Sequence, residues 1–319
     1  MAWPGARTRA WADPAAITAA IATIARAISR FERVKVAVDP EYCAEAAGVL
    51  GANIDIQAMP VDDIWARDSG PSFLLNKEGD LAASVWNFNA WGNKFDGHDA
   101  DFILAARVAA ARGVTPFAAS IITEGGALHV DGEGTLVATE SSLLNPNRNP
   151  DQSRAEVEHG LKDWLGVEKV IWIPGEPDDS ITDGHIDGLM TFVKPGAALF
   201  EVTDDTSYPT YHVLKEQLRV LELATDARGR RINVQVLKRP RELPSDSEHF
   251  CGNYINCLIL NGAVLIPAFG DVNADSAAAQ VFANAFPGRE IAALRVDAIC
   301  EGGGGIHCVT QQEPASKTP

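Results

Sequence analysis

The chain of 319 residues is 46% hydrophobic and 22% charged, which excludes a structureless polymer and supplies a substantial core. Its 27 basic residues face 43 acidic ones, and the formal charge of −16 argues against a nucleic-acid backbone as partner while permitting a cationic substrate. No stretch reaches the roughly 20 apolar residues needed to cross a bilayer, and residues 1–10 lack the apolar region of a signal peptide.

From the N-terminus, Ile17, Ile21, Ile24, Ala25 and Ile28 recur at spacings of three and four behind Asp13-Pro14. They predict an amphipathic helix over 11–28 used for core packing, not for a membrane surface. Next comes Asp62-Asp63-Ile64-Trp65-Ala66-Arg67-Asp68-Ser69-Gly70-Pro71. Compression of this acidic run between Trp65 and Gly70-Pro71 predicts a tight, partly buried position for Asp68, with Arg67 paired to a neighbouring carboxylate.

A unit then recurs: a Gly-containing approach, an apolar strand, a tight turn and a second apolar strand. Five segments fit, at 68–76, 124–130, 184–193, 254–260 and 303–309. Helix-like stretches at 101–111, 152–165, 208–224 and 275–285 separate them, and 174–180 reads as a surface loop. The economical reading is an α/β fold of ββαβ units repeated about an axis, in one catalytic domain over 1–319. Glu124-Gly125-Gly126-Ala127-Leu128-His129 even aligns with Gly302-Gly303-Gly304-Gly305-Ile306-His307, so that Val130 in one copy matches Cys308 in the other. Convergence of the approaches on the axis would gather Asp68, Glu124, His185, Asp187, Asn256 and Cys308.

The five cysteines, at 43, 251, 257, 300 and 308, form an odd set without a CxxC pair. Cytosolic thiols and a cytoplasmic protein are therefore expected. Cys308, delivered after four glycines, is the candidate nucleophile. A thiolate at neutral pH needs a nearby positive charge. His185 and Asp187, read as two positions on one strand, would face one ligand. Two acids, Asp68 and Asp187, beside a thiol would repel anions and raise its pKa, but they suit a guanidinium, which is planar and pairs bidentately with carboxylates. Metal binding is the competing use of the cluster. Its spacings match no common zinc signature, so neither metal nor other cofactor is expected.

The motifs Trp65-Ala66-Arg67-Asp68-Ser69-Gly70-Pro71, Glu124-Gly125-Gly126, Asn145-Pro146-Asn147-Arg148-Asn149-Pro150, Thr182-Asp183-Gly184-His185-Ile186-Asp187, Tyr254-Ile255-Asn256 and Gly304-Gly305-Ile306-His307-Cys308-Val309-Thr310-Gln311-Gln312 resemble the agmatine deiminase / bacterial peptidylarginine deiminase family. The resemblance spans essentially the whole chain. It implies the pentein fold, a five-bladed α/β propeller, and cofactor-free hydrolysis of agmatine to N-carbamoylputrescine and ammonia, or of a related small guanidine to its ureido product. It implies Cys308 as nucleophile, His185 as general acid and base, Asp68 and Asp187 as guanidinium ligands and Trp65 in the substrate channel, with Asn256 near the nucleophile. Glu124 is either a site residue or a support for the Gly125-Gly126 turn. A peptidyl- or free-arginine deiminase, and an amidinotransferase or dihydrolase on the same fold, remain alternatives. Homo-oligomerisation and the role of His307 stay open.

Two departures stand out. Agmatine deiminases usually carry an acid four residues before the histidine, to pair with the distal amine; here that residue is Ile181, with Asp178 and Asp179 further back. Loss of a buried ammonium partner shifts substrate preference. Met1-Ala2-Trp3-Pro4 resembles a family strand normally preceded by further residues, and a late assignment of the start codon is the expected reason.

Overall fold

Four of the five expected units fold as read. In the computed structural model, which describes residues 1–317, each opens with an antiparallel hairpin, departs through a helix and returns as a strand parallel to the second one. The strands of the first are Ser72–Leu75, Leu81–Val85 and Thr115–Ala118, with helix Leu104–Arg112 as the crossover. His129–Val130, Thr135–Thr139 and Lys169–Ile173 form the second around helix Arg154–Leu165. The third has Met190–Lys194, Ala197–Val202 and Asn233–Lys238 with helix Tyr211–Leu223. The fourth has Leu258–Leu260, Ala263–Ala268 and Glu290–Arg295 with helix Val272–Ala285. A parallel return demands a crossover of this kind, because a hairpin turn reverses direction.

The fifth unit differs from the sequence reading. Residues 303–309 form no strand; the chain turns through Gly303 to Val309 without sheet pairing. The fifth sheet comes from the other end of the chain, where Lys35–Val38 pairs in parallel with Asp55–Ala58 and Ala2 bridges Ala37. The C-terminal segment then ties itself to the first unit through Gln311 Nε2 to the Pro71 carbonyl, at 2.6 Å, and Lys317 N to the Gly79 carbonyl, at 3.1 Å. One blade is thus split between the termini, its strands lying at the start and its cysteine near the end.

The first long helix, Pro14–Ser29, is held at its start by the Asp13 carboxylate accepting from Ala16 N at 2.8 Å. Ile17, Ile21, Ile24, Ala25 and Ile28 are all buried, in one apolar cluster with Val264, Leu265 and Phe282. Each isoleucine buried there contributes about 1.5–3 kcal/mol. Core packing is the helix's use, as its periodicity predicts. The helix at Arg154–Leu165 begins with a reciprocal Ser153–Glu156 capping box.

Before the first strand of three hairpins the chain makes a single tight helical turn: Ala66–Ser69, Gly125–Ala127 and Ile186–Gly188. The first turn packs on the second, and the second on the third. Equivalent positions of the repeat therefore meet, and with them their polar residues.

Candidate active site

Asp68 lies in the first of these turns and is 4% exposed. Its Oδ1 accepts from Gly126 N at 2.9 Å and its Oδ2 from Trp91 Nε1 at 2.9 Å. Trp91 is delivered by an unusual backbone: Ala90, Trp91, Gly92 and Asn93 all have positive φ, from 53° to 90°. Asn89 Oδ1 holds this run by accepting from Gly92 N at 2.8 Å. Strain of this kind persists only where the surroundings over-determine it.

His185 caps the third turn and Asp187 lies within it. They were read as residues of a strand; instead His185 caps the short helix Ile186–Gly188, and the strand begins at Met190. The reason is local. Asp183 and Gly184 have positive φ, and the Asp179 carboxylate gathers the amides of Ile181, Thr182 and Gly184 at 2.9–3.1 Å, which curls the chain before it can extend. The two side chains nevertheless reach one place. A methyl placed on Gly126 would lie 2.6 Å from His185 Nδ1, 2.8 Å from Asp68 Oδ1 and 3.1 Å from Asp187 Oδ2. Both carboxylates and the imidazole thus converge on the space that this glycine leaves empty.

Cys308 joins them from the C-terminal segment. Its Sγ is 3.5 Å from Asp187 Oδ2 and accepts from Asn256 Nδ2 at 3.1 Å. Asn256 Oδ1 also accepts from the amides of His307, at 2.9 Å, and Cys308, at 3.3 Å, so one side chain fixes both the backbone and the sulfur. His307 Nδ1 meets Asp187 Oδ2 at 2.7 Å, a role the sequence left open.

Glu124 supplies no side-chain bond to the Gly125-Gly126 turn. Its Oε2 lies 3.2 Å from His185 Nε2, and its Oε1 accepts from Arg148 Nε at 2.8 Å, with both acid and arginine fully buried. Arg148 also reaches Asp183 at 2.6 Å. Arg67 departs from expectation: among the described residues it forms no ion pair with a carboxylate but donates to Gln312 Oε1 at 2.6 Å and the His307 carbonyl at 3.4 Å, binding the first turn to the C-terminal segment.

The charges follow from burial and neighbours. Burial alone would lower the His185 pKa; the carboxylates of Asp68, Glu124 and Asp187 outweigh it and lift the ring to about 9. Asp68 is pushed up to about 6, first by burial and then by the nearby acids Asp187 and Glu124 against the pull of His185. Burial would also raise Asp187, but its bond to His307 holds the carboxyl below the ordinary range. The Cys308 thiol is driven well above its usual value by burial, then by Asp187 and Asp68.

A cavity of about 380 Å³ leads to this cluster, with Asp68 and Cys308 in its wall. His185 and Asp187 do not line it themselves but touch the two residues that do. Trp65 lines it and stacks on Trp11 with ring centroids 6.0 Å apart and planes at 10°. The glycine run makes room for these rings: a methyl on Gly302 would come within 2.5 Å of Trp11 and 2.9 Å of Trp65. Among the described residues, no three His, Cys, Asp or Glu side chains are arranged to hold a metal ion.

The model of the Porphyromonas-type peptidyl-arginine deiminase family matches residues 1–314. The chain belongs to this family. Among deiminase relatives, the agmatine deiminase of Stutzerimonas stutzeri is 39% identical over 342 residues, covering 99% of this chain and 92% of its own. The solved agmatine deiminase of Enterococcus faecalis superposes with a TM-score of 0.93 at 32% identity, covering 98% of this chain and 92% of that one. A DDAH from Pseudomonas aeruginosa complexed with citrulline, 13% identical with a TM-score of 0.52, covers 97% of this chain and 95% of its own and shares the fold alone. The fold is the five-bladed pentein arrangement, and the protein is a hydrolase acting on guanidino C–N bonds. Arg148 stands in a family motif but finds its buried role only with Glu124 and Asp183, and Trp91, which belongs to no motif, holds Asp68. The signal for Trp91 was its setting between Asn89 and Gly92-Asn93, residue types that tolerate positive φ.

Proposed function

We propose that this deiminase hydrolyses a small guanidino compound through a covalent intermediate on Cys308. The observation that carries the reading is the convergence of Asp68, His185 and Asp187 around Gly126, with the Cys308 sulfur bonded to Asp187. Asp68 and Asp187 bind the N–H edges of the guanidinium and hold its central carbon against the sulfur. The bound cation offsets the two acids that otherwise keep Cys308 protonated, and the thiol ionises as substrate arrives, its proton passing to solvent because His185 is already the imidazolium.

The thiolate then attacks the central carbon, forming the S–C bond and a neutral tetrahedral adduct. The His185 imidazolium protonates one nitrogen, which leaves as ammonia, and an amidino-thioether cation remains. Neutral His185 takes a proton from water as its oxygen bonds to the carbon. Collapse of that adduct breaks the S–C bond, releases the ureido product and returns the thiolate; ammonia carries away the remaining proton. Asn256 and Glu124 act by position, the first aiming the sulfur and the second orienting the imidazole and supporting its charge.

The family membership supports a single catalytic unit, and the five free thiols support a cytoplasmic setting. The excess of acids supports a free cation over a nucleic acid as partner. The test of the reaction is product analysis: purified enzyme with a small alkylguanidine and no acceptor amine should release ammonia and the matching ureido compound in equal amounts. Amidino transfer that requires an added amine would replace hydrolysis by the transferase alternative.

A second expectation concerns pH. Asp68 must be ionised to grip the guanidinium, and its folded pKa of about 6 means the charged form is lost as pH falls through that value. Butylguanidine binding to a Cys308→Ser variant, measured by calorimetry, should therefore weaken progressively below about pH 6 and level off above it. Affinity constant between pH 7.5 and 5 would remove Asp68 as a ligand.

A further inference from the structure

The wall of the cavity that leads to Asp68 and Cys308 holds further ionisable side chains. Five ionisable side chains stand there besides Asp68 and Cys308: Arg7, Asp63, His98, His249 and Glu301. Three already have partners. Asp63 accepts from Thr8 Oγ1 at 2.7 Å, Ile64 N at 2.8 Å and Trp11 Nε1 at 3.2 Å. His98 pairs with Asp101 at 3.0 Å, and His249 meets Ser180 at 3.3 Å. Glu301 is exposed, where water and salt screen it.

Arg7 is different. It is half-buried, its guanidinium lies 5.9 Å from the Phe95 ring centroid, and among the described residues its side chain makes no hydrogen bond or ion pair. Its Nε is buried without an acceptor. A buried donor left unsatisfied is costly, and a charged one more so, unless a ligand completes it. The wall beneath Arg7 is continuous with the reacting end: Phe95 packs edge-on against Trp91 at 5.7 Å, and the Trp91 indole donates to Asp68.

The rest of the cavity wall, beyond Asp68, holds no buried carboxylate free to pair with an ammonium among the described residues. Ile181 lines it with an apolar side chain that packs over Gly303. The nearest upstream acid, Asp179, is committed to the amides of its own loop and to the Thr182 hydroxyl. A substrate with a second positive charge would meet an unpaired arginine and no free buried carboxylate. From these contacts we infer that the deiminase takes guanidines carrying a carboxylate at the far end, ω-guanidino acids, with Arg7 as the residue that binds the carboxylate. The inference rests on the deiminase reading above and adds the charge of the tail.

Three guanidines of near-equal length separate the cases: 4-guanidinobutyrate, butylguanidine and agmatine, compared by kcat/KM from ammonia release. The wild-type enzyme should prefer guanidinobutyrate to agmatine by about tenfold or more. In Arg7→Gln the ratio of guanidinobutyrate to butylguanidine should fall by about thirtyfold, mainly through KM, with Arg7→Lys restoring part of it. Butylguanidine serves as the internal control for folding, since the ratio cancels loss of active protein. Preference for agmatine, or a ratio unmoved by Arg7→Gln, overturns the assignment of an anionic tail and leaves the deiminase reading standing. Ammonia from none of the three by folded enzyme overturns the deiminase reading itself.

Discussion

Cys308→Ser is expected to lower kcat/KM for every accepted guanidine by about a thousandfold or more while guanidinium binding persists. Serine keeps the volume and can still accept from Asn256 Nδ2, which now lies 3.1 Å from the sulfur. What it loses is ionisation. A thiol already raised by burial, Asp187 and Asp68 is brought down by a bound cation only because thiols start near neutrality; a hydroxyl starts far above. The measurement pairs ammonia release with calorimetric binding of butylguanidine, and adds intact mass after acid quench. Wild-type enzyme should show the amidino adduct and the serine variant should not. Turnover near the wild-type rate in Cys308→Ser would exclude covalent chemistry at this position.

How much of this site can be read from the chain depends on how local each cause is. Asp68, His185, Asp187 and Cys308 sit beside glycines or a Gly-Pro turn at matching points of a repeat, so their meeting follows from the repeat itself. The hairpins and crossover helices are equally local, being set by apolar periodicity and turn residues. The split blade is not: the pairing of Ala2 with Ala37 and the contacts of residues 311–317 with 71–79 join opposite ends of the chain, and nothing within 303–309 signals the missing strand.

The same distinction separates the supporting residues. Arg148 finds Glu124 and Asp183 across 24 and 35 residues, and Trp91 finds Asp68 across 23, so neither partner shares a motif with it. Arg67 was expected to seek the acids next to it in sequence. Its guanidinium instead crosses to Gln312, 245 residues away, because Asp68 is occupied by Gly126 and Trp91. The strand expected at His185 fails for a polar reason: the Asp179 carboxylate satisfies three successive-loop amides that a strand would have presented to a sheet partner.

Gly126→Ala should disable the enzyme with little cost to its fold. The added methyl would occupy the point 2.6 Å from His185 Nδ1, 2.8 Å from Asp68 Oδ1 and 3.1 Å from Asp187 Oδ2, inside van der Waals distance of all three. Overpacking of a buried position typically costs about 1–3 kcal/mol, which a domain of this size survives. Catalysis is less tolerant, since displacing a reacting group by about 1 Å can cost about a hundredfold, and here three groups must shift together. A fall of kcat/KM by at least that factor is expected, with thermal unfolding still cooperative. Gly48→Ala is the matched control: it lies in helix Cys43–Leu50 with no atom within 4 Å of the added methyl, and helix propensity predicts about 0.5–1 kcal/mol of stabilisation there. If Gly126→Ala turned over guanidines at the wild-type rate, the close packing of Asp68, His185 and Asp187 on this glycine would not set the catalytic geometry, and the assignment of the two acids as guanidinium ligands would lose its structural support.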